Sequence, residues 1–263
     1  MPRIITNNGY DIGYEEAGGG ELTPIVFLHG VGSDKSVWRP QLAFFGQFRR
    51  AVAFDYPGFG DSDPAPEGTT RDDYASAIIS AMHELGMDRA HVCGLSLGGV
   101  IAIAMNHADA DRCASLILAD TFAAHPDGQA IYERSLVASE NMRALAEGRV
   151  DALLAQPADP AVRSEVVETM GNIDPAAFRI GAEAVWLAEQ RDRAEHIRVP
   201  TLVLCGTEDR ITPPALSREL THLIPGARYE EIDRAGHLTN LEQAEAFNTL
   251  VSAFIRGVDS RAQ

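Results

Sequence analysis

The chain has 263 residues, 45% of them hydrophobic, which suits one sizeable α/β core carrying an insertion. Lysine and arginine number 22 against 38 aspartates and glutamates, giving a net charge of −16 and a pI of about 4.8. With no basic run to offset that balance, a nucleic-acid partner is not expected. In chain order, residues 3–6 and 10–16 flank Asn7-Asn8-Gly9, a hairpin signal. Strand-like runs follow at 25–28, 51–54, 91–93, 115–119, 201–204 and 228–232, for a total of eight candidate strands. Several are continuously apolar, as strands buried on both faces are. Between them, Tyr74, Ile78, Met82 and Leu85 recur at helical spacing, with Gly86 as a stop. Leu241, Ala244, Phe247, Leu250 and Phe254 do the same near the C-terminus. This alternation predicts an eight-stranded, mostly parallel sheet with helices on both faces.

Residues 121–198 break the rhythm. A structureless loop of that length is implausible in a compact domain. Apolar spacing predicts helices at 129–138, 142–147, 150–154, 161–170 and 176–189, punctuated by Pro157, Pro160 and Pro175. The expected organisation is a core of residues 1–120 and 199–263, with a helical cap, 121–198, inserted after strand six. Cys93, Cys113 and Cys205 lie in or beside apolar runs and read as small buried hydrophobes, without disulfide or metal spacing. No hydrophobic signal segment and no membrane-spanning stretch is found, so no membrane association is expected and the cytoplasm is the default compartment.

The chemistry gathers at strand ends. Gly94-Leu95-Ser96-Leu97-Gly98 stands between a strand and an apolar helix, the pattern of a nucleophile elbow. The glycines let backbone and helix approach, and Ser96 is pushed out above a helix N-terminus. A serine hydroxyl needs a base, and histidine suits that role near neutral pH. Asp209 follows the run 201–204 and His237 follows 228–232, so the order is Ser, Asp, His. The carboxylate would fix the imidazole tautomer. His29-Gly30-Val31-Gly32, after 25–28, is a loop able to present the Val31 N–H beside the Leu97 N–H as an oxyanion hole. His29 itself reads as a loop organiser. Asp120, after strand six, is the competing acid, but Asp209 fits better and Asp120 reads as a cap or loop group. Glu208 and Asp233 read as loop groups, and His125 as a solvated loop histidine.

The chain resembles the α/β-hydrolase superfamily over essentially its whole length. The resemblance rests on His29-Gly30, Asp55-Tyr56-Pro57-Gly58-Phe59-Gly60-Asp61-Ser62, Gly94-Leu95-Ser96-Leu97-Gly98-Gly99, Gly206-Thr207-Glu208-Asp209 and Ala235-Gly236-His237. Within it, Trp38-Arg39-Pro40-Gln41, Thr212-Pro213-Pro214 and Asn240-Leu241-Glu242 are similar to 3-oxoadipate enol-lactonases. Phe122 and Trp186 make the cap more aromatic than that subfamily would have it. The resemblance implies a cofactor-free, metal-free serine hydrolase acting on a small-molecule ester or lactone. Carbon–carbon hydrolysis of a vinylogous diketone, or ligand reception without catalysis, are the alternatives on this fold. Candidate substrate-binding residues are Trp38, Phe122, Arg134 and Trp186, each balanced by a plain packing or surface reading. Whether the chain forms a homo-oligomer is left open.

Overall fold

The computed structural model describes residues 2–6 and 9–262. The strands are β1 (Arg3–Ile5), β2 (Asp11–Ala17), β3 (Ile25–Leu28), β4 (Ala51–Phe54), β5 (Ala90–Leu95), β6 (Cys113–Ala119), β7 (Thr201–Gly206) and β8 (Arg228–Ile232). They form one eight-stranded sheet in the order β1-β2-β4-β3-β5-β6-β7-β8. β1 and β2 are antiparallel, as are β2 and β4, and every later pair is parallel. Asn7 and Asn8 of the expected hairpin turn lie outside the described residues. The closing bonds around them, Thr6 N to Tyr10 O at 2.8 Å and Gly9 N to Thr6 O at 2.9 Å, are present.

The helices are α1 (Arg39–Phe45), α2 (Arg71–Glu84), α3 (Leu97–Ala108), α4 (Gly128–Ala138), α5 (Met142–Leu153), α6 (Pro160–Gly171), α7 (Pro175–Trp186), α8 (Arg191–Glu195), α9 (Pro214–Leu223), α10 (Thr239–Glu242) and α11 (Ala244–Ala262). α1 packs with α11, and α2 packs with α3, so the sheet is sandwiched. β3, β4, β5, β6 and β7 are buried along their whole length, which explains why their sequences are apolar without alternation. Local signals fix the helix starts. Thr70 and Asp73 form a reciprocal capping box on α2. Asp159-Pro160 and Asp174-Pro175 each pair an N-cap carboxylate with a proline at the first helical position. None of the helices is long and apolar enough to cross a membrane, among the described residues.

Helices α4 to α8 occupy the segment between β6 and β7. α4 packs on α7, and α5 on α6. A single bridge between Ala124 and Glu189, with Gln190 N donating to Ala123 O at 2.9 Å, ties the two ends of this insertion together. Two expectations are corrected here. Residues 142–147 and 150–154 are one helix, α5, because Met142, Leu145, Ala146, Val150 and Leu153 form a continuous buried stripe that outweighs the cost of Gly148, about 1 kcal/mol. The helix expected at 176–189 stops at Trp186, since the chain must turn to make the Ala124–Glu189 bridge. Trp38 is also corrected. It is fully buried, stacked on Phe27 at 4.9 Å between ring centroids and close to Phe247 at 6.0 Å, so it belongs to the packing between β3 and α11.

Candidate active site

The geometry of the strand–turn–helix at Ser96 follows from its glycines. Ser96 has φ 56° and ψ −116°, a conformation that costs an L-residue about 1–3 kcal/mol. A Cβ on Gly94 would lie 2.1 Å from Gly98 O, and one on Gly98 would lie 2.0 Å from Leu28 O. No side chain fits at either position, so the turn can be tight only with this sequence. The strained residue is held by Ser96 N donating to Ala119 O at 3.0 Å and by Thr121 Oγ1 donating to Ser96 O at 2.8 Å.

Leu97 opens α3, where the first N–H groups have no intrahelical acceptor. Val31 lies in the loop after β3. Among the described residues, neither the Leu97 N–H nor the Val31 N–H donates a hydrogen bond within the protein. That loop is anchored from behind. His29 is fully buried, and its Nδ1 lies 2.8 Å from Gly30 O, while Tyr56 Oη donates to His29 O at 3.0 Å. Burial lowers the His29 pKa, which fits a neutral ring packed against Tyr56 and Phe59. Asp55 accepts from Lys35 N at 2.8 Å and from Lys35 Nζ at 2.6 Å, so it organises the loop as expected.

His237 Nδ1 lies 2.9 Å from Asp209 Oδ2. Asp209 Oδ1 accepts from Ile211 N at 2.8 Å and Thr212 N at 3.0 Å, while Thr212 Oγ1 donates to Oδ2 at 2.7 Å. Burial alone would raise the Asp209 pKa, but the His237 ring and these donors hold it below the usual carboxylate range. It therefore stays ionised beside the imidazole. The His237 loop is itself clamped. His237 N donates to Leu153 O at the end of α5 at 2.7 Å, and Glu242 accepts from both Ala155 N at 2.6 Å and Gly236 N at 2.9 Å.

Asp120, the competing acid, forms no hydrogen bond with His237. Its two oxygens accept from Gly206 N and Thr239 Oγ1. Burial, followed by the nearby Asp209 charge, pushes its pKa well up. Asp120→Asn is expected to lower kcat by less than tenfold, because the amide can still accept from Gly206 N and donate to Thr239, and one rearranged hydrogen bond is worth about 1 kcal/mol. A loss as deep as that of Asp209→Asn would show instead that Asp120 orients His237. Asp120, Cys205 and Asp209 do lie within ligand distance of one another. Their atoms are already engaged, with both carboxylates accepting hydrogen bonds and the Cys205 thiol raised by burial and the two aspartates.

Ser96, His237, Gly30 and Val31 line one chamber with Leu153 and Arg149 of α5, Met170 of α6 and Trp186 of α7. No hydrogen bond joins Ser96 Oγ to His237 in this arrangement; such bonds commonly tighten only with substrate bound. The chamber has a cavity volume of about 40 Å³. Trp186 is thus placed on the chamber wall. Phe122 is not; it is fully buried and stacks on Trp186 at 5.9 Å, bracing it. Arg134 is not on this wall either. It is exposed on α4 and lines a separate outer cleft. His125 packs edge-on against Trp186 at 5.5 Å and is half-buried, not solvated.

Two residues to which the sequence reading gave no role belong here. Thr212 was detectable, since Asp209-x-x-Thr212 has the spacing of an Asx-type turn whose hydroxyl can return to the carboxylate. Arg149 was detectable only if 142–153 is read as one helix, on which Leu145, Arg149 and Leu153 share a face.

The sequence profile of the alpha/beta hydrolase family matches residues 25–250, a span containing every residue of this chamber. The chain belongs to that family. This alpha/beta hydrolase is 27% identical over 266 residues to 3-oxoadipate enol-lactonase 1 of Acinetobacter baylyi, covering 97% of each chain. Its structure is similar to the enol-lactonase from Burkholderia xenovorans, with 31% identity, a TM-score of 0.89 and coverage of 97% of this chain and 100% of the other. It is also similar to a thermophilic esterase from Thermogutta terrifontis, with 26% identity, a TM-score of 0.89 and coverage of 98% of both chains.

Proposed function

We propose that this alpha/beta hydrolase cleaves small carboxylic esters or lactones through a serine acyl-enzyme, with Ser96 as nucleophile, His237 as base and Asp209 as its orienting acid. The observation that carries the reading is the convergence on one chamber of a strained, forward-pushed serine, an aspartate-bound histidine and a glycine loop bearing a free N–H. The enol-lactonase and esterase relatives support the same reaction class.

In this mechanism Ser96 Oγ attacks the carbonyl carbon as His237 Nε2 takes its proton. The N–H groups of Val31 and Leu97 hold the oxyanion, each worth about 3–4 kcal/mol of barrier. His237 returns the proton to the leaving oxygen, and the C–O bond breaks. In a lactone the leaving group stays tethered to the acyl chain. Water, deprotonated by His237, then attacks the acyl carbon, releases the acid and restores Ser96. The α4–α8 insertion acts as a cap that excludes bulk water. No step needs a cofactor or a metal.

A serine-directed phosphonate is expected to label Ser96 alone and to stop turnover of a panel of p-nitrophenyl esters, lactones and enol-lactones. Peptide mapping by mass spectrometry checks the site. Labelling at another residue, or turnover persisting in fully labelled protein, rejects the reading.

A further inference from the structure

Helices α5 and α6 pack on each other and together wall one side of the Ser96 chamber, with Leu153, Val166 and Met170 facing it. The ion pairs of this helical hairpin are internal: Arg143 with Glu147 and Glu168, and Arg163 with Asp151. Among the described residues, no ion pair and only two hydrogen bonds join residues 142–171 to the α/β core. Both run to the segment that carries His237. His237 N donates to Leu153 O at 2.7 Å, and Ala155 N donates to Glu242 Oε1 at 2.6 Å.

Glu242 closes α10, the short helix that follows the His237 loop, and is half-buried. Its other oxygen, Oε2, accepts at 2.9 Å from the N–H of Gly236, the residue before His237. One carboxylate therefore holds the cap with one oxygen and the base loop with the other. Burial raises the Glu242 pKa, and these backbone donors and the His237 ring oppose the rise. A half-buried carboxylate committed to two N–H groups loses free energy when either leaves. The two backbones also meet without a gap. A Cβ on Gly236 would lie 2.6 Å from Leu153 O and 2.7 Å from Ala155 N, so no side chain fits between loop and cap. The same hairpin touches the oxyanion loop as well, where a Cβ on Gly32 would lie 2.3 Å from Met170 Cε.

Resting on the serine-hydrolase reading above, we propose that Glu242 is a positioning residue that makes seating of the α5–α6 hairpin and placement of His237 a single event. With the hairpin seated, Leu153 O holds His237 N, Glu242 ties Gly236 to Ala155, and the ring is bound to Asp209. With it lifted, His237 N loses its acceptor, Glu242 loses one of its donors, and one side of the loop is released. The base is then in place only while the hairpin walls the chamber, which ties proton transfer to the exclusion of bulk water.

The test follows cap and histidine apart from turnover. Amide hydrogen exchange on the full-length Glu242→Gln protein should be at least tenfold faster at Ala155, at Gly236 and also at His237, whose own acceptor on Leu153 is untouched. Glutamine matches glutamate in size but offers one acceptor oxygen to two N–H groups, so a bond must go. On p-nitrophenyl acetate and hexanoate, kcat should fall about tenfold, by the same factor for both and with KM little changed, since base placement is lost and no acyl contact is. Gly236→Ala pries the same junction apart with Glu242 intact and should give the same exchange and kinetic pattern. Combining the two should cost little more than either alone, as one shared junction requires. Unchanged exchange at Ala155 and His237 in Glu242→Gln overturns the proposal, and so does a loss confined to KM or one that varies with acyl length. Exchange needs no substrate, so a protein that turns over no ester fails the serine-hydrolase reading while exchange still decides whether Glu242 couples the cap to the His237 loop.

Discussion

Replacing Ser96 with alanine is expected to lower kcat about a millionfold, the loss seen when a triad nucleophile is removed from an enzyme of this mechanism. The geometry says why the loss should be so complete. Ser96 holds a left-handed backbone that Gly94 and Gly98 make room for, and alanine can hold it equally well. The N–H groups of Val31 and Leu97 belong to the backbone and survive the substitution. What disappears is only the hydroxyl oxygen that must bond to the carbonyl carbon. Thermal unfolding should therefore change little while turnover falls to the residue left by binding and the oxyanion donors. Burst kinetics with a p-nitrophenyl ester provide the check. A Ser96→Ala protein that still releases a burst of nitrophenolate would move the nucleophile elsewhere.

Asp209→Asn should lower kcat about 10⁴-fold while leaving the fold intact. Asp209 Oδ2 receives both the His237 ring and the Thr212 hydroxyl, and Oδ1 receives two backbone N–H groups. Asparagine keeps one acceptor oxygen, and the Ile211 and Thr212 N–H groups claim it. Its NH₂ then faces His237 Nδ1 and makes that nitrogen the acceptor. The ring proton is forced onto Nε2, which can no longer take a proton from Ser96. Loss of the negative charge also removes the stabilisation of an imidazolium. The measurement is kcat for Asp209→Asn beside Asp120→Asn on the same ester. The order should be a large loss at 209 and a small one at 120. The reverse order would place the orienting acid after β6.

How much of this was legible in the residues depends on the range of the signal. Gly94, Ser96 and Gly98 lie within five residues, between one apolar strand and one apolar helix, so their turn is a local property. The same holds for the loop at Gly30, for Asp209 after β7 and for His237 after β8. Parallel strands with short βα loops bring those ends to one edge of the sheet, and so the order of strands and helices was enough to expect Ser96, Asp209 and His237 together. Periodicity likewise announced the eight strands and a helical insertion, because alternation and 3.6-residue spacing are written in neighbouring residues.

Packing between distant segments decided the rest. Trp38 and Trp186 look alike in sequence, yet one fills the space between β3 and α11 and the other walls the chamber. Asp120 and Asp209 both follow strands, and only the pairing of β7 with both β6 and β8, with the side-chain contact it permits, shows which carboxylate reaches His237. Arg134 was visible as a cation on a helix, whereas Arg149 was hidden by a glycine that seemed to divide α5. The stripe from Met142 to Leu153 is buried only because α6 and the His237 loop lie against it, and that contact overrides the weak local preference of Gly148. Sequence alone therefore determined which chemical groups stand at strand ends, since that is set by short-range patterning. Tertiary structure alone decided which side chains face the chamber, since a helix face acquires its meaning from whatever packs on it.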